Sequence, residues 1–268
     1  MSVLCAAARG TLALGWALLV APAGAAVPGA DRVEAAVANA NRAGRRGVPL
    51  ELAVELVREG SGSDVVGAGT LQIHPSGLAR LELRGAGGLV ERHLLLGAAH
   101  HASRNGAPLA SPQPFLAPLQ LLQASSGAAV GSALRQLGAA PGEIALGRAQ
   151  ESDCYVLGGR EPGPDRSPPR RAALWVDATS FEPARIDRAD GVRFELGPPG
   201  AFGEVRFPAW IGVEAPGEPP VRLVVRSAAR SGVDASEFRR EWLTAVPAPG
   251  PPAPRTPPRP PAGAPGNP

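Results

Sequence analysis

Three of the four histidines in this 268-residue chain stand close together, at His93, His100 and His101. Histidine, cysteine and carboxylates are the groups that bind metals and move protons, so this set is the first candidate for chemistry. The segment around it reads as strands, and neighbouring residues on a strand point to opposite faces. One strand therefore cannot bring His100 and His101 to a single ion. No acidic or Cys ligand is expected beside them, so no metal is assigned. The other signatures of catalysis are missing from the sequence. There is no G-x-S-x-G turn for a nucleophile and no H-E-x-x-H. The glycine-rich GSGSDVVGAG has no Lys to reach a phosphate, because all 27 basic residues are Arg. Acidic residues fall singly on strands beside Arg, as in cross-strand surface pairs rather than a catalytic dyad. The chain reads as a non-enzyme without cofactor.

Cysteine and charge bound the class. Residues 1–25 read as a signal peptide: Arg9, an apolar run at 11–20 (TLALGWALLV), then Ala23-Gly24-Ala25 as a cleavage site near Ala25. The run is too short to span a bilayer, and no later stretch is long and apolar enough. Cys5 precedes the run, so it cannot be a lipidated cysteine following it. Cleavage leaves Cys154 alone, which excludes an intrachain disulfide. The pI near 9.6 suggests nucleic acid. Yet Arg9 lies in the leader and Arg255 and Arg259 in the tail, so the net +3 leaves residues 26–246 formally neutral. A neutral body with Arg and Glu interspersed along strands is a solvated sheet face, not a phosphate groove.

The elements that would position any site are mostly strands. Asp31 starts a helix, with Glu34 at capping-box spacing and Gly44 as its terminator. Then Leu50, Leu52, Val54 and Leu56 alternate with polar or small residues, as do Leu71 with Ile73, and Ala79 with Leu81 and Leu83. Turn signals recur every 8–12 residues, among them Pro75-Ser76-Gly77 and Asn105-Gly106. At 115–137 the spacing turns helical, giving one or two short amphipathic helices between sheet halves. Strands resume at 143–148 and 154–158, and a Pro-rich loop fills 160–170. Residues 171–196 (RAALWVDATSFEPARIDRADGVRFEL) read as three strands, the last pair joined by a two-residue Asp190-Gly191 hairpin. Further strands follow at 204–213, 221–227 and 236–243. Of the last 22 residues, 247–268, 11 are Pro, so this piece reads as a disordered tail.

The expected fold is mainly β (α+β): a single antiparallel, curled half-barrel sheet with short helices lidding its concave apolar face. Residues 26–246 form the domain. If the hairpins keep register, Leu52, Val54, Leu56, Leu71, Ile73, Leu81 and Leu83 share one face, with Phe194 and Leu196 lining the same interior. That face is either solid core under the helices or core with a cavity for a greasy guest.

Several segments together resemble one family. LWVDATSFEPARI is similar to the strand–turn–strand of outer-membrane lipoprotein-sorting proteins, the LolA-like fold, with Trp175, Asp177 and Pro183 carrying the likeness. GTLQIHPSGLARLEL resembles that family's early hairpin, and SGVDASEFRREWL its closing strand. The resemblance implies a periplasmic carrier or chaperone of lipidated proteins or other acyl-chain ligands. Its partners would be lipid or lipoprotein acyl chains and inner- or outer-membrane envelope proteins. The family's carrier has an Arg before the Pro of the early hairpin, where it ties the lid. His74 stands there in this chain and offers one donor against five. The alternative is an envelope structural or sensory module with a solid core, whose Pro-rich tail engages a partner.

Overall fold

The computed structural model describes residues 27–59, 64–140, 142–158 and 171–245. The leader, the 60–63 turn, the 160–170 loop and the 247–268 tail read from sequence lie outside the described residues. Strands β1 (Leu50–Arg58), β2 (Asp64–His74), β3 (Leu78–Gly85), β4 (Val90–Leu96), β5 (Ala99–Arg104) and the two-residue β6 (Ala107–Pro108) make an antiparallel meander. After the helical insert, β7 (Ile144–Ala149), β8 (Ser152–Leu157), β9 (Ala173–Asp177), β10 (Pro183–Asp187) and β11 (Arg193–Leu196) make a second. β12 (Pro199–Phe202) and β13 (Val205–Pro208) pair only with each other, as a separate ribbon. β14 (Trp210–Glu214) and β15 (Val221–Arg230) return to the main sheet, and β15 pairs with β1. The result is one sheet of 13 strands in the order β6-β5-β4-β3-β2-β1-β15-β14-β11-β10-β9-β8-β7. It curls as a half-barrel without closing, and three short helices lie against it.

Those helices are α1 (Ala30–Ala43), α2 (Leu119–Gln123) and α3 (Gly127–Gln136). One face of each is apolar, and Val33 and Val37 of α1, Leu119 and Leu122 of α2 and Val130 and Leu134 of α3 share a core with the inward face of the sheet. α3 begins at Ser126, whose Oγ accepts from Ala129 N–H at 3.2 Å and satisfies a donor the helix cannot. Pro118 ends the preceding turn and starts α2, so the helical spacing at 115–137 resolves into two helices.

Five details differ from the sequence reading. α1 starts one residue earlier, with Gly29 as N-cap and no side-chain cap bond, so Asp31 and Glu34 form no capping box. Gly44 keeps φ −75, and Arg45 takes the left-handed turn at φ 56. The β10–β11 connection has three residues, because Arg188 N–H donates to Val192 O at 2.9 Å and Gly191 N–H to Arg188 O at 3.1 Å. Gly191, at φ +86, supplies the left-handed residue such a loop requires. Opposite Leu56/Val57 the register slips by one residue, with Val66 the extra residue in β2; Leu56 is left half-buried and Val57 is buried beside Trp210 and Arg222.

The largest difference is at the end of the chain. Ser236 to Leu243 is not a strand, and the family-like closing segment is two 3-10 turns, Ala235–Glu237 and Arg240–Leu243. Asp234 and Glu237 cap the first reciprocally, which fixes a helical start that apolar spacing alone does not reveal. The segment lies on the outer face of the sheet. There Val233 and Phe238 bury Leu94, and Trp242 sits with the guanidinium carbons of Arg80 and Arg92 at 5.7 and 5.2 Å from its ring. Arg92 also donates to Trp242 O at 2.8 Å, and Ser103 Oγ to Leu243 O at 2.6 Å.

Candidate ligand-binding face

Register puts the inward apolar residues into rows. Leu52 lies opposite Leu71, which lies opposite Leu81; Leu50 faces Ile73, which faces Ala79. The bulges leave these rows intact, so Leu52, Val54, Leu71, Ile73, Leu81 and Leu83 share one face. Phe194 and Leu196 join them from β11, opposite Val213 and Ile211 of β14. Leu56 packs against the same cluster from its half-buried position. All nine residues expected on the dry face therefore lie on it.

The face is full. Leu52, Leu71, Ile73 and Leu81 are 0% exposed, because Leu116, Leu119, Leu121, Leu122, Val130 and Leu134 of the helical segment pack into it. Two pockets among the described residues, of about 320 and 390 Å3, lie elsewhere. One runs along Val90, Arg92, Ser103 and Ala245, the other along Val57, Trp210, Arg222 and Val224. A ligand on the dry face must therefore displace the cover.

The cover is held at a few polar points. Asn41 of α1, fully buried, donates to the carbonyls of Leu121 and Ala124 at 2.9 and 2.8 Å. Gln123 reaches the carbonyls of Arg46 and Val48 at 3.3 Å each, and Gln120 donates to Gly97 O with a longer contact to Gly77 O. Asn41 is itself gripped by Arg46, whose guanidinium is fully buried. Arg46 donates to Asn41 Oδ1 at 2.8 Å and pairs with Glu182 Oε2 at 2.7 Å. Arg46 thus fixes the end of α1 to the β9–β10 turn, and Asn41 passes that anchor on to α2. This polar hub was not singled out from sequence. An Asn and an Arg five apart at a helix end carry no signal until the partner 136 residues away is known.

His74 does not join these ties. Its Nδ1 accepts from Ser76 N–H at 3.2 Å, closing the β2–β3 turn, and its ring lies 6.1 Å from that of Phe238 on the closing segment. The turn it closes still serves the cover, since Gly77, at φ +82, presents the carbonyl that Gln120 approaches.

The dry face turns polar at one end. Leu83 lies opposite Glu91 of β4, and Leu81 opposite His93. His93 is fully buried, with Nε2 at 2.8 Å from Glu91 Oε1 and Nδ1 at 3.2 Å from His100 Nε2. The expectation that no acidic residue stands beside these histidines is therefore wrong: Glu91 and His93, two apart on one strand, share a face. Phe115, at the head of the cover, meets the His93 ring edge-on with centroids 5.2 Å apart. Hydrogen bonding from His93 holds the Glu91 carboxyl below its usual range, with Arg104 adding to it against the opposing effect of burial. Burial first, then the charges of His93, His101 and Arg188, lowers His100 to about 4. Among the described residues, no group of three or more His, Cys, Asp or Glu is placed to hold a metal ion. Cys154 is buried, and burial raises its thiol pKa, which makes it a packing residue rather than a nucleophile.

No protein-family model matches the sequence, and no curated protein does. Among solved structures, a LolA superfamily protein from Nitrosomonas europaea is 14% identical with a TM-score of 0.51, over 81% of this chain and 100% of that one. The fold is LolA-like. A putative outer membrane lipoprotein-sorting protein domain from Vibrio parahaemolyticus and a DUF1329 family protein from Desulfovibrio piger match more loosely, with TM-scores of 0.39 and 0.40. Each is 12% identical over 81% of this chain and 100% of its own. Within the LolA-like sheet, the LWVD signature is architectural. Trp175 lies on the outer face, donates from Nε1 to the buried Asp187 at 2.8 Å and carries the Arg185 guanidinium 4.8 Å from its ring. No helix among the described residues is long and apolar enough to cross a membrane.

Proposed function

We propose that this protein is an exported, periplasmic, non-catalytic carrier or binder of lipidated proteins or other acyl-chain ligands. The ligand lies on the face of Leu52, Val54, Leu56, Leu71, Ile73, Leu81, Leu83, Phe194 and Leu196. One observation carries this reading. The face is covered by α2 and α3, helices of 5 and 10 residues, rather than by a second sheet. Helices this short draw little stability from their own hydrogen bonds and depend on packing. An acyl chain offers the sheet the same kind of contact. About ten buried methylenes would contribute roughly 8 kcal/mol, set against the cost of opening the cover. The LolA-like fold and the leader read from sequence support the same assignment, with the periplasm as the compartment.

The complete occlusion of Leu52, Leu71, Ile73 and Leu81 favours a second reading, in which the face is permanent core and the protein is an envelope interaction module. Titration with a fluorescent fatty acid separates the two. Saturable one-to-one binding, competed by unlabelled lipid, supports the carrier. No binding at any concentration below micelle formation, together with loss of partner recovery on deleting 247–268, supports the module.

A further inference from the structure

We propose that Glu91, His93 and His100 form a proton-sensitive catch beneath Phe115, so that acidification frees the 115–137 cover from the edge of the sheet. The inference rests on the reading of that segment as a displaceable cover, and concerns its regulation.

The hydrogen-bond pattern sets the logic. A carboxylate only accepts, so Glu91 Oε1 takes the Nε2 proton of His93. His93 Nδ1 is then the acceptor facing His100 Nε2, which donates. One proton added to the pair is accommodated, because one of the two facing nitrogens can still accept from the other. A second proton places hydrogens on both facing nitrogens. The bond between the rings is lost, and two cations remain with centroids 5.3 Å apart.

The surroundings do not relieve that charge. Glu91 is shared with Arg104 of β5, whose Nη2 lies 2.9 Å from its Oε2. His101 on β5 and Arg188 beyond β10 both act on His100 as further positive charge. From the cover, the uncharged ring of Phe115, itself 2% exposed, meets His93, while His100 is half-buried beside it. Lifting Phe115 admits water to the buried His93 ring, so the doubly protonated pair is better tolerated with the cover open. The low value of His100, about 4 against 6.5 for a free imidazole, is consistent with this. Proton linkage between those two values sets an upper limit of about 20-fold on the rise of the opening equilibrium from pH 7 to pH 5, because His93, His101 and Arg188 stay with the sheet when the cover lifts.

Hydrogen exchange of the intact protein at pH 7 and pH 5, corrected for intrinsic rates, reads this without a ligand. Amides of 115–124 are expected to open several-fold more often at pH 5, up to about 20-fold, while those of Leu52 and Leu71 stay unchanged. His100→Gln, which keeps a donor and cannot titrate, should abolish the rise. His93→Gln provides the same comparison if the first variant does not fold. An unchanged 115–124 segment, an equal rise in both variants, or a rise shared by β1 and β2 overturns the catch. Binding of a fluorescent fatty acid at both pH values keeps the two ideas apart. A pH-dependent cover that binds no lipid refutes the carrier and leaves the catch, whereas lipid binding over a cover indifferent to pH refutes the catch alone.

Discussion

Asn41→Ala tests whether the cover is a separate, movable unit. Asn41 is fully buried and makes two bonds to α2, to Leu121 O at 2.9 Å and Ala124 O at 2.8 Å. Alanine removes both and admits no water while the cover is shut. Leu121 O keeps the Ala124 N–H at 3.2 Å, so the carbonyl left unpaired is that of Ala124. A buried carbonyl in that state costs about 1–3 kcal/mol, a cost that vanishes when the cover opens and the carbonyl hydrates, so the opening constant rises about 5- to 150-fold. Apparent affinity for an acyl chain should improve by the same factor, because a larger fraction of the protein is competent to bind. Hydrogen exchange of 115–137 and fatty-acid titration measure the two sides. The reasoning fails if exchange in α2 and in β1–β3 rises together, because helices and sheet then open as one unit and no cover exists. It also fails if α2 loosens while affinity falls.

Glu182→Gln leaves the Arg46 guanidinium buried without its counter-ion, and urea denaturation should show a loss of about 3–5 kcal/mol; a loss below about 1 kcal/mol would mean that the pair is solvated. Trp242→Ala removes the ring between Arg80 and Arg92 and uncovers Leu94 on the outer face. It should destabilise by about 1–2 kcal/mol, less than a fully buried Trp because the ring is half-buried, while leaving fatty-acid binding unchanged, and a large change in binding would place the ligand on the wrong face here.

Legibility followed the range of the interaction. The rows Leu52–Leu71–Leu81 and Leu50–Ile73–Ala79 follow from alternation and short turns, since register in a hairpin is fixed locally. The pairing of β1 with β15, which joins the two meanders, has no local signature. The Arg46–Glu182 pair is similarly distant, and a lone Arg after a helix reads as surface. The Glu91–His93 pair was within reach, since residues two apart on a strand share a face. The adjacent His100-His101 is the louder signal in the sequence, and the pleat separates those two. The closing segment misled because Val233, Phe238 and Trp242 resemble strand residues, whereas Asp234 and Glu237 carried a capping signal.

The central claim is that an acyl chain lies on the dry inward face beneath α2 and α3. A fatty acid bearing a photoreactive group on its chain, cross-linked to the intact protein and mapped by peptide mass spectrometry, tests it directly. The account predicts labels on Leu52, Leu71, Ile73, Leu81, Phe194 or the cover residues Leu119 and Leu122, competed by unlabelled lipid. Labels confined to the outer face around Trp210 and Trp242, or no competed label at all, would contradict it.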